Sequence, residues 1–206
     1  MAKIVKKPMV RKAEIVKAAS YLFQTKGYEK TTMQDVMSHL DIAKGTIYHY
    51  FKSKEALLES AIENMVMQNI LKIQNLLQKA KGNALEKMRF LIEKGNMAND
   101  NADILDHLHR SSNANMHLRL LTATLLKLAP LYGKIIQEGC DEGIFQTEAP
   151  MECAEFILFA VQFLTDRGIY PWTQEDLLRR SQAFPKLIEQ QLKASPGSFQ
   201  FLINLM

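Results

Sequence analysis

Cysteine, tryptophan and proline are scarce in this chain of 206 residues, which carries two, one and six of them. Two cysteines, Cys140 and Cys153, cannot frame a disulfide-stapled fold, so stability must come from apolar burial, and a reducing cytoplasm is the expected setting. Long apolar runs are missing as well. None approaches the roughly 20 residues that a membrane-spanning helix needs, and the basic start MAKIVKKPMVRK lacks the apolar stretch of a secretion signal. No membrane partner is expected. The period-two alternation of strands is almost absent too. What is there is 47% hydrophobic residues, enough for a sizeable core, set out with helical rhythm nearly throughout. The expected fold class is all-α.

The constellations of common catalysis are also lacking. No nucleophile elbow, phosphate-cradling glycine loop or Cys-His pair is present. A di-iron bundle enzyme needs paired Glu-x-x-His motifs, and only Asp106 with His109 comes close, once. Asp103, Asp106, His107, His109 and His117 are metal-binding residue types, yet His107 and His109 lie two apart and point about 200° away from each other on one helix. We expect no enzyme, no cofactor and no metal site.

Charge is unevenly spread. Residues 1–54 hold eleven Lys and Arg against four acids, a surplus of seven, while the remainder holds fifteen against eighteen, a deficit of three. A basic N-terminal quarter on a mildly acidic body suits a polyanion at one end, because Lys and Arg displace counterions from phosphates.

The stretch TTMQDVMSHLDIAKGTIYHYFKSKEAL, residues 31–57, concentrates that charge in a recognisable pattern. Thr31-Thr32-Met33-Gln34 has the form of a capping box, with Thr31 as its cap, and starts a helix. Val36, Met37 and Leu40 give this helix one apolar face, and Asp41 ends it, being a residue type that tolerates left-handed backbone. A second short helix follows from Lys44, with Ile42, Ile47 and Phe51 inward and Lys44, Gly45, Thr46, Tyr48, His49 and Tyr50 outward. Two short helices at a tight turn match the helix-turn-helix, whose second helix lies in the major groove of duplex DNA. Tyr, Thr and Lys donate to phosphates, and Lys44, Thr46 or His49 can touch bases. The plainer alternative is a helical hairpin with a wet face.

These residues resemble the tetracycline-repressor (TetR) family of transcriptional regulators. The resemblance runs from about Arg11 to Leu58: Ile15, Ala18, Ala19, Leu22 and Phe23, the Gly27-Tyr28 turn, the Thr31-Thr32 start, and above all GTIYHYFKSKEAL from Gly45 to Leu57. It implies that Gln34, Lys44, Gly45, Thr46, Tyr48, His49, Tyr50 and Lys54 contact DNA, with Thr32 adding a phosphate contact. Asp41 stands where the family usually has Gly, and Met37 where it usually has Ala. The implied function is a repressor that binds a palindromic operator as a homodimer and is released by a small-molecule effector. An activator of the same fold is the alternative.

The domains expected are a basic arm at residues 1–10, a DNA-binding domain at 11–52 and a helical effector-binding and dimerisation domain at 53–206. Ser53 caps a long helix of about 28 residues with Leu57, Leu58, Ala61, Ile62, Met65, Val66, Ile70 and Ile73 in rhythm, stopping near Gly82. Further helices are expected at about 84–98, 103–111, 115–142, 151–164 and 174–192, with Pro130 and Pro185 bending or splitting two of them. The helix at 151–164 is apolar all round and must be covered on every side, by its own core and by a partner. A homodimer through Phe156, Phe159, Ala160, Phe163, Leu177, Phe184, Ile188 and Leu192 is therefore expected. The resemblance places the effector pocket in the middle of the chain, with Phe90, Met97, Leu105, His107, Leu108, Met116, Leu120, Tyr132 and Phe163 as its walls. The apolar tail SPGSFQFLINLM is expected to dock on the body.

Overall fold

A computed structural model describes residues 8–95, 109 and 113–204, and among these it contains eight α-helices and no strand. They are α1 (Pro8–Lys26), α2 (Met33–Leu40), α3 (Lys44–Tyr50), α4 (Lys54–Lys79), α5 (Ala84–Gly95), α6 (Ala114–Asp141), α7 (Pro150–Leu164) and α8 (Gln174–Leu192), followed by a 3₁₀ turn at Gln200–Asn204. The first helix is described from Pro8 and already includes Arg11, where the sequence placed its start. The helix expected at 103–111 lies outside the described residues.

Short polar side chains set the starts of α2, α4, α5 and α8, while α3 and α7 begin after alanines that supply no side-chain cap. The cap of α2 is Thr32 and not Thr31: the Asp35 N–H donates to the Thr32 hydroxyl, and the Thr32 N–H donates to the Asp35 carboxylate at 2.7 Å. An aspartate thus closes the capping box that the sequence assigned to Gln34, one position earlier. Thr31 is buried instead, its hydroxyl donating to the Gly27 carbonyl at 2.7 Å. The same box recurs at Thr173 and Asp176 before α8, and Asn83 with Glu86 forms another before α5. Ser53 accepts from the Ala56 N–H at the start of α4.

Left-handed residues close three helices. Gly27 follows α1 with φ 95°, Asp41 follows α2 with φ 50°, and Lys193 follows α8 with φ 47°. Pro130 and Pro185 split neither α6 nor α8; each helix runs through its proline. Near the end of α6, Gly139 lies under the Phe145 ring, so close that a Cβ there would stand 2.2 Å from a ring carbon.

The chain divides into two compact units. One contains residues 1–67 and 102–120, the other 68–101 and 121–206, so the chain passes between them within α4 and within α6. In the first unit α2 packs on α1 and on α3, and Ile15, Ala19, Phe23, Val36, Ile47, Leu57, Leu58 and Met116 are fully buried. Each such large side chain contributes about 1.5–3 kcal/mol of burial. The second unit has its own core, with Met88 and Leu91 of α5, Tyr132, Ile135 and Ile136 of α6, Ile188 and Leu192 of α8, and Phe199 and Leu202 of the tail. The tail is docked as expected: the Phe199 N–H donates to the buried Glu189 carboxylate at 3.0 Å, and its ring stacks on Phe145.

Candidate nucleic-acid interface

The helix-turn-helix is held from behind by the loop that joins α1 to α2. Thr31 ties the loop to Gly27, and the Tyr28 N–H donates to the Asn113 side chain at 2.6 Å. The Lys54 ammonium lies 4.3 Å from the centroid of the Tyr28 ring and donates to the carbonyls of Tyr28 and Glu29 at 3.1 and 3.3 Å. Lys54, one of the expected DNA contacts, thus also braces this loop. Thr32 is exposed, but its hydroxyl is engaged with Asp35. Across the same corner, Lys26 of α1 reaches Asp35 of α2 at 2.7 Å. That pairing, with the two Thr32 hydrogen bonds, draws the Asp35 carboxyl from its ordinary 3.8 down to about 2.

The other expected contacts all reach the surface, to different degrees. Lys44, Gly45 and His49 of α3 are exposed, Thr46, Tyr48 and Tyr50 are half-buried, and Gln34 of α2 is exposed. Ile47 and Phe51 fill the inner side. No acid lies in α3, so its outer surface offers hydroxyls, aromatic edges and the positive charge of Lys44, with no negative charge of its own. A Cβ on Gly45 would meet nothing within 4 Å, and its φ is ordinary, so neither packing nor backbone strain within the chain explains a glycine there. Two cations escaped the sequence reading: Lys52, whose ammonium donates to the Tyr48 carbonyl, and Lys12, 5.8 Å from the centroid of the Phe51 ring. The clustering of lysine around the aromatic exit of α3 was the available signal.

The second unit holds a partly open cavity of about 590 Å³. Its walls come from α4 (Asn69, Ile73), α5 (Met88, Leu91, Ile92), α6 (Leu128, Tyr132, Ile136), α7 (Ala154, Ile157, Leu158, Val161), α8 (Gln174, Leu177, Ile188), the α7–α8 loop (Thr165, Arg167) and the tail (Phe199, Leu202). Of the expected walls among the described residues only Tyr132 lines it, and burial pushes its phenol up to about 12. Met116 and Leu120 belong to the first unit, and Phe90 and Phe163 are half-buried away from the cavity. Met97, Leu105, His107 and Leu108 lie outside the described residues. The walls were missed because they are mostly the ordinary inward positions of five helices, one loop and the tail.

The expected dimer residues separate into two sets. Phe156 and Phe159 are exposed at 65% and 49%, beside Leu126 of α6 at 66%, and Phe159 stacks on Phe163 at 4.5 Å. Ala160 is half-buried. Phe184, Ile188 and Leu192 are buried in the chain's own interior, and Leu177 faces the cavity, so these four offer little or no surface to a partner. On α8 the exposed large apolar residues are Leu178 and Leu187.

The comparisons with known proteins agree with this architecture. The family model described as bacterial regulatory proteins, tetR family, matches residues 15–61, and the tetracyclin repressor-like C-terminal domain model matches residues 96–187. The chain is 42% identical over 66 residues to the HTH-type transcriptional regulator YerO of Bacillus subtilis, a match covering 32% of this chain and 23% of YerO. It is 31% identical over 81 residues to the HTH-type transcriptional repressor KstR2 of Mycolicibacterium smegmatis, covering 39% of each. The chain thus spans well under half the length of these two relatives. A crystal structure of a TetR-family transcriptional regulator from Mesorhizobium loti superposes with a TM-score of 0.65 at 18% identity, over 90% of this chain and 98% of that one. The chain belongs to the tetR family of bacterial regulatory proteins, and its first unit carries the family's helix-turn-helix DNA-binding head.

Proposed function

We propose that the chain represses transcription in the cytoplasm by occupying a palindromic operator as a homodimer, and that a small molecule in the cavity releases it. The observation that carries the reading is the outer face of α3, with Gly45 open to approach and Lys44, Thr46, Tyr48 and His49 around it. In this reading α3 enters the major groove; Tyr48, Tyr50 and Gln34 hold phosphates, and Lys44, Thr46 and His49 meet base edges. Lys54 acts through the loop it braces. The sign of regulation follows the repressor KstR2, to whose head region this one is similar.

The apolar patch of Leu126, Phe156 and Phe159 supports a second copy as partner, since aromatic side chains this exposed mark contact surfaces. Two heads about 34–36 Å apart would then read two half-sites one DNA turn apart. Release would pass through α4 and α6, because each supplies residues both to the head unit and to the cavity wall. None of these steps calls for catalysis.

The test is binding of the purified chain to duplexes from its own upstream region, followed by anisotropy from low to high salt. Saturable binding that weakens steeply with salt is expected. Salt-insensitive binding, or none to any upstream duplex, would overturn the reading. Light scattering of the wild type and of Phe156→Glu tests the dimer, with a shift toward monomer expected for the variant.

A further inference from the structure

The cavity wall is sharply one-sided in charge. Arg167 is the one charged residue among the described residues that line it; no Asp, Glu, Lys or His does. Arg167 is exposed on the loop between α7 and α8 and has no ion-pair partner among the described residues. Its loop is ordered. The Asp166 carboxylate accepts from the N–H groups of Gly168 and Ile169 at 2.8 and 3.0 Å, and Trp172 is packed between Tyr170 and Arg180, whose guanidinium lies 3.6 Å from the indole centroid. The guanidinium is thus presented from a fixed backbone at a cavity wall that is otherwise neutral.

The interior is aliphatic. Leucine, isoleucine and valine supply most of the wall, and Tyr132 and Phe199 are its two aromatic residues. A planar aromatic ligand would find few rings to stack on. A cation would meet Arg167 and no carboxylate to offset its lost hydration. An anion with a flexible hydrocarbon body meets neither obstacle: its body takes the apolar interior, while its head pairs with an arginine exposed enough to leave the charge partly hydrated.

We propose that the cavity takes an amphiphilic carboxylate of fatty-acid type, with Arg167 pairing its head group and the aliphatic walls of α4 to α8 holding its chain. The proposal rests on the reading of this cavity as the effector site, and it names the class of ligand.

The experiment titrates the whole chain, below micelle-forming concentrations, with saturated carboxylates of increasing length, the alcohols of the same lengths and the corresponding alkyltrimethylammonium ions. Binding is read from the fluorescence of Trp172, the single tryptophan, which shares the Arg167 loop. Carboxylate affinity should rise about fourfold per added methylene until the cavity is full. The matched alcohol should bind about tenfold more weakly, and the ammonium ion more weakly still. Arg167→Ala should bring the carboxylate down to the level of the alcohol, and Arg167→Lys should restore most of the difference. Equal affinity for alcohol and carboxylate, preference for the ammonium ion, or an unchanged Arg167→Ala overturns the assignment. Release of operator DNA is measured on the same samples. Binding that obeys these rules without releasing DNA supports the ligand class and overturns the effector role, so the two failures are distinguishable.

Discussion

Both units seat a threonine–aspartate box at a helix start, but the first also braces the loop between α1 and α2 with polar side chains, whereas the second leaves a cavity among its helices. Lys54, Thr31 and Asn113 all act on the loop between α1 and α2, behind a face that carries lysine, tyrosine and histidine. In the second unit Glu142 accepts from the first N–H of α5 and Glu189 clamps the tail, while a cavity of about 590 Å³ remains among aliphatic side chains. A rigid outer face suits a partner of fixed shape such as duplex DNA. A mostly apolar cavity suits a small partner that adapts its shape to the walls.

If the two units are as separate as their cores indicate, the largest effect should come from breaking one core alone. Phe23→Ala removes a fully buried ring from the first unit and should cost about 3–5 kcal/mol. Hydrogen exchange is expected to rise across residues 8–67 and to stay near wild type in α7 and α8. A uniform rise over the whole chain would show the two cores to be one cooperative body.

Two glycines sharpen the contrast further. Gly139→Ala forces a methyl into the Phe145 ring, where a Cβ would stand 2.2 Å from a ring carbon, and should destabilise by about 1–3 kcal/mol. DNA affinity should fall no further than the loss of folded protein requires. Gly45→Ala adds a methyl to open space and should stabilise α3 by about 0.5–1 kcal/mol while weakening operator binding at least tenfold. Thermal melting and anisotropy on both variants check this. A stable Gly45→Ala protein with full DNA affinity would remove the argument from Gly45.

Legibility in the sequence divides along the same line. Gly45, Thr46, Tyr48 and Lys54 are close neighbours, and their spacing on a short helix with a tight approach was enough to find the head. Helix limits were legible to within a few residues because caps are local: Ser53, Thr173 and Gly27 act on their own segments. The Thr32 cap was placed one residue early, since Asp35 does the work usually given to Glu or Gln. Cavity walls carry no local signature. Ile73, Leu91, Ile157 and Leu158 are simply inward apolar residues, and which of them border a space depends on how five helices, a loop and the tail pack. The all-round apolarity of α7 was visible, and its division into an inner face at Ala154, Ile157 and Leu158 and an outer face at Phe156 and Phe159 required the fold.

Two lysines of the head extend the comparison at smaller cost. Lys54→Met removes the charged donor from the Tyr28 and Glu29 carbonyls and should cost about 1.5–3 kcal/mol of stability. Lys44→Met should leave melting within about 0.5 kcal/mol of wild type, weaken DNA binding and alter which bases are preferred. Equal stability in the two variants would return Lys54 to the DNA-facing set.

The smallest effect concerns two aspartates that close identical boxes, one in each unit. Asp35 and Asp176 each accept from the hydroxyl and N–H of the threonine three residues before, and both carboxyls are lowered. Asp35 also receives Lys26 from another helix at 2.7 Å, whereas Asp176 has Arg179 and Arg180 of its own helix at 3.7 Å. A carboxyl lowered on folding stabilises fully above its ordinary value and loses that contribution as pH falls. For Asp35 the loss runs from its ordinary 3.8 to about 2. Melting temperature should therefore decline between about pH 4 and pH 2 in wild type, and less steeply in Asp35→Asn, whose side chain stays neutral. Asp176→Asn should flatten the curve less, since its ion pairs are longer and lie within a single helix. Equal flattening by both would mean that the threonine hydrogen bonds, and not the bridge from α1 to α2, set the acid sensitivity of the head.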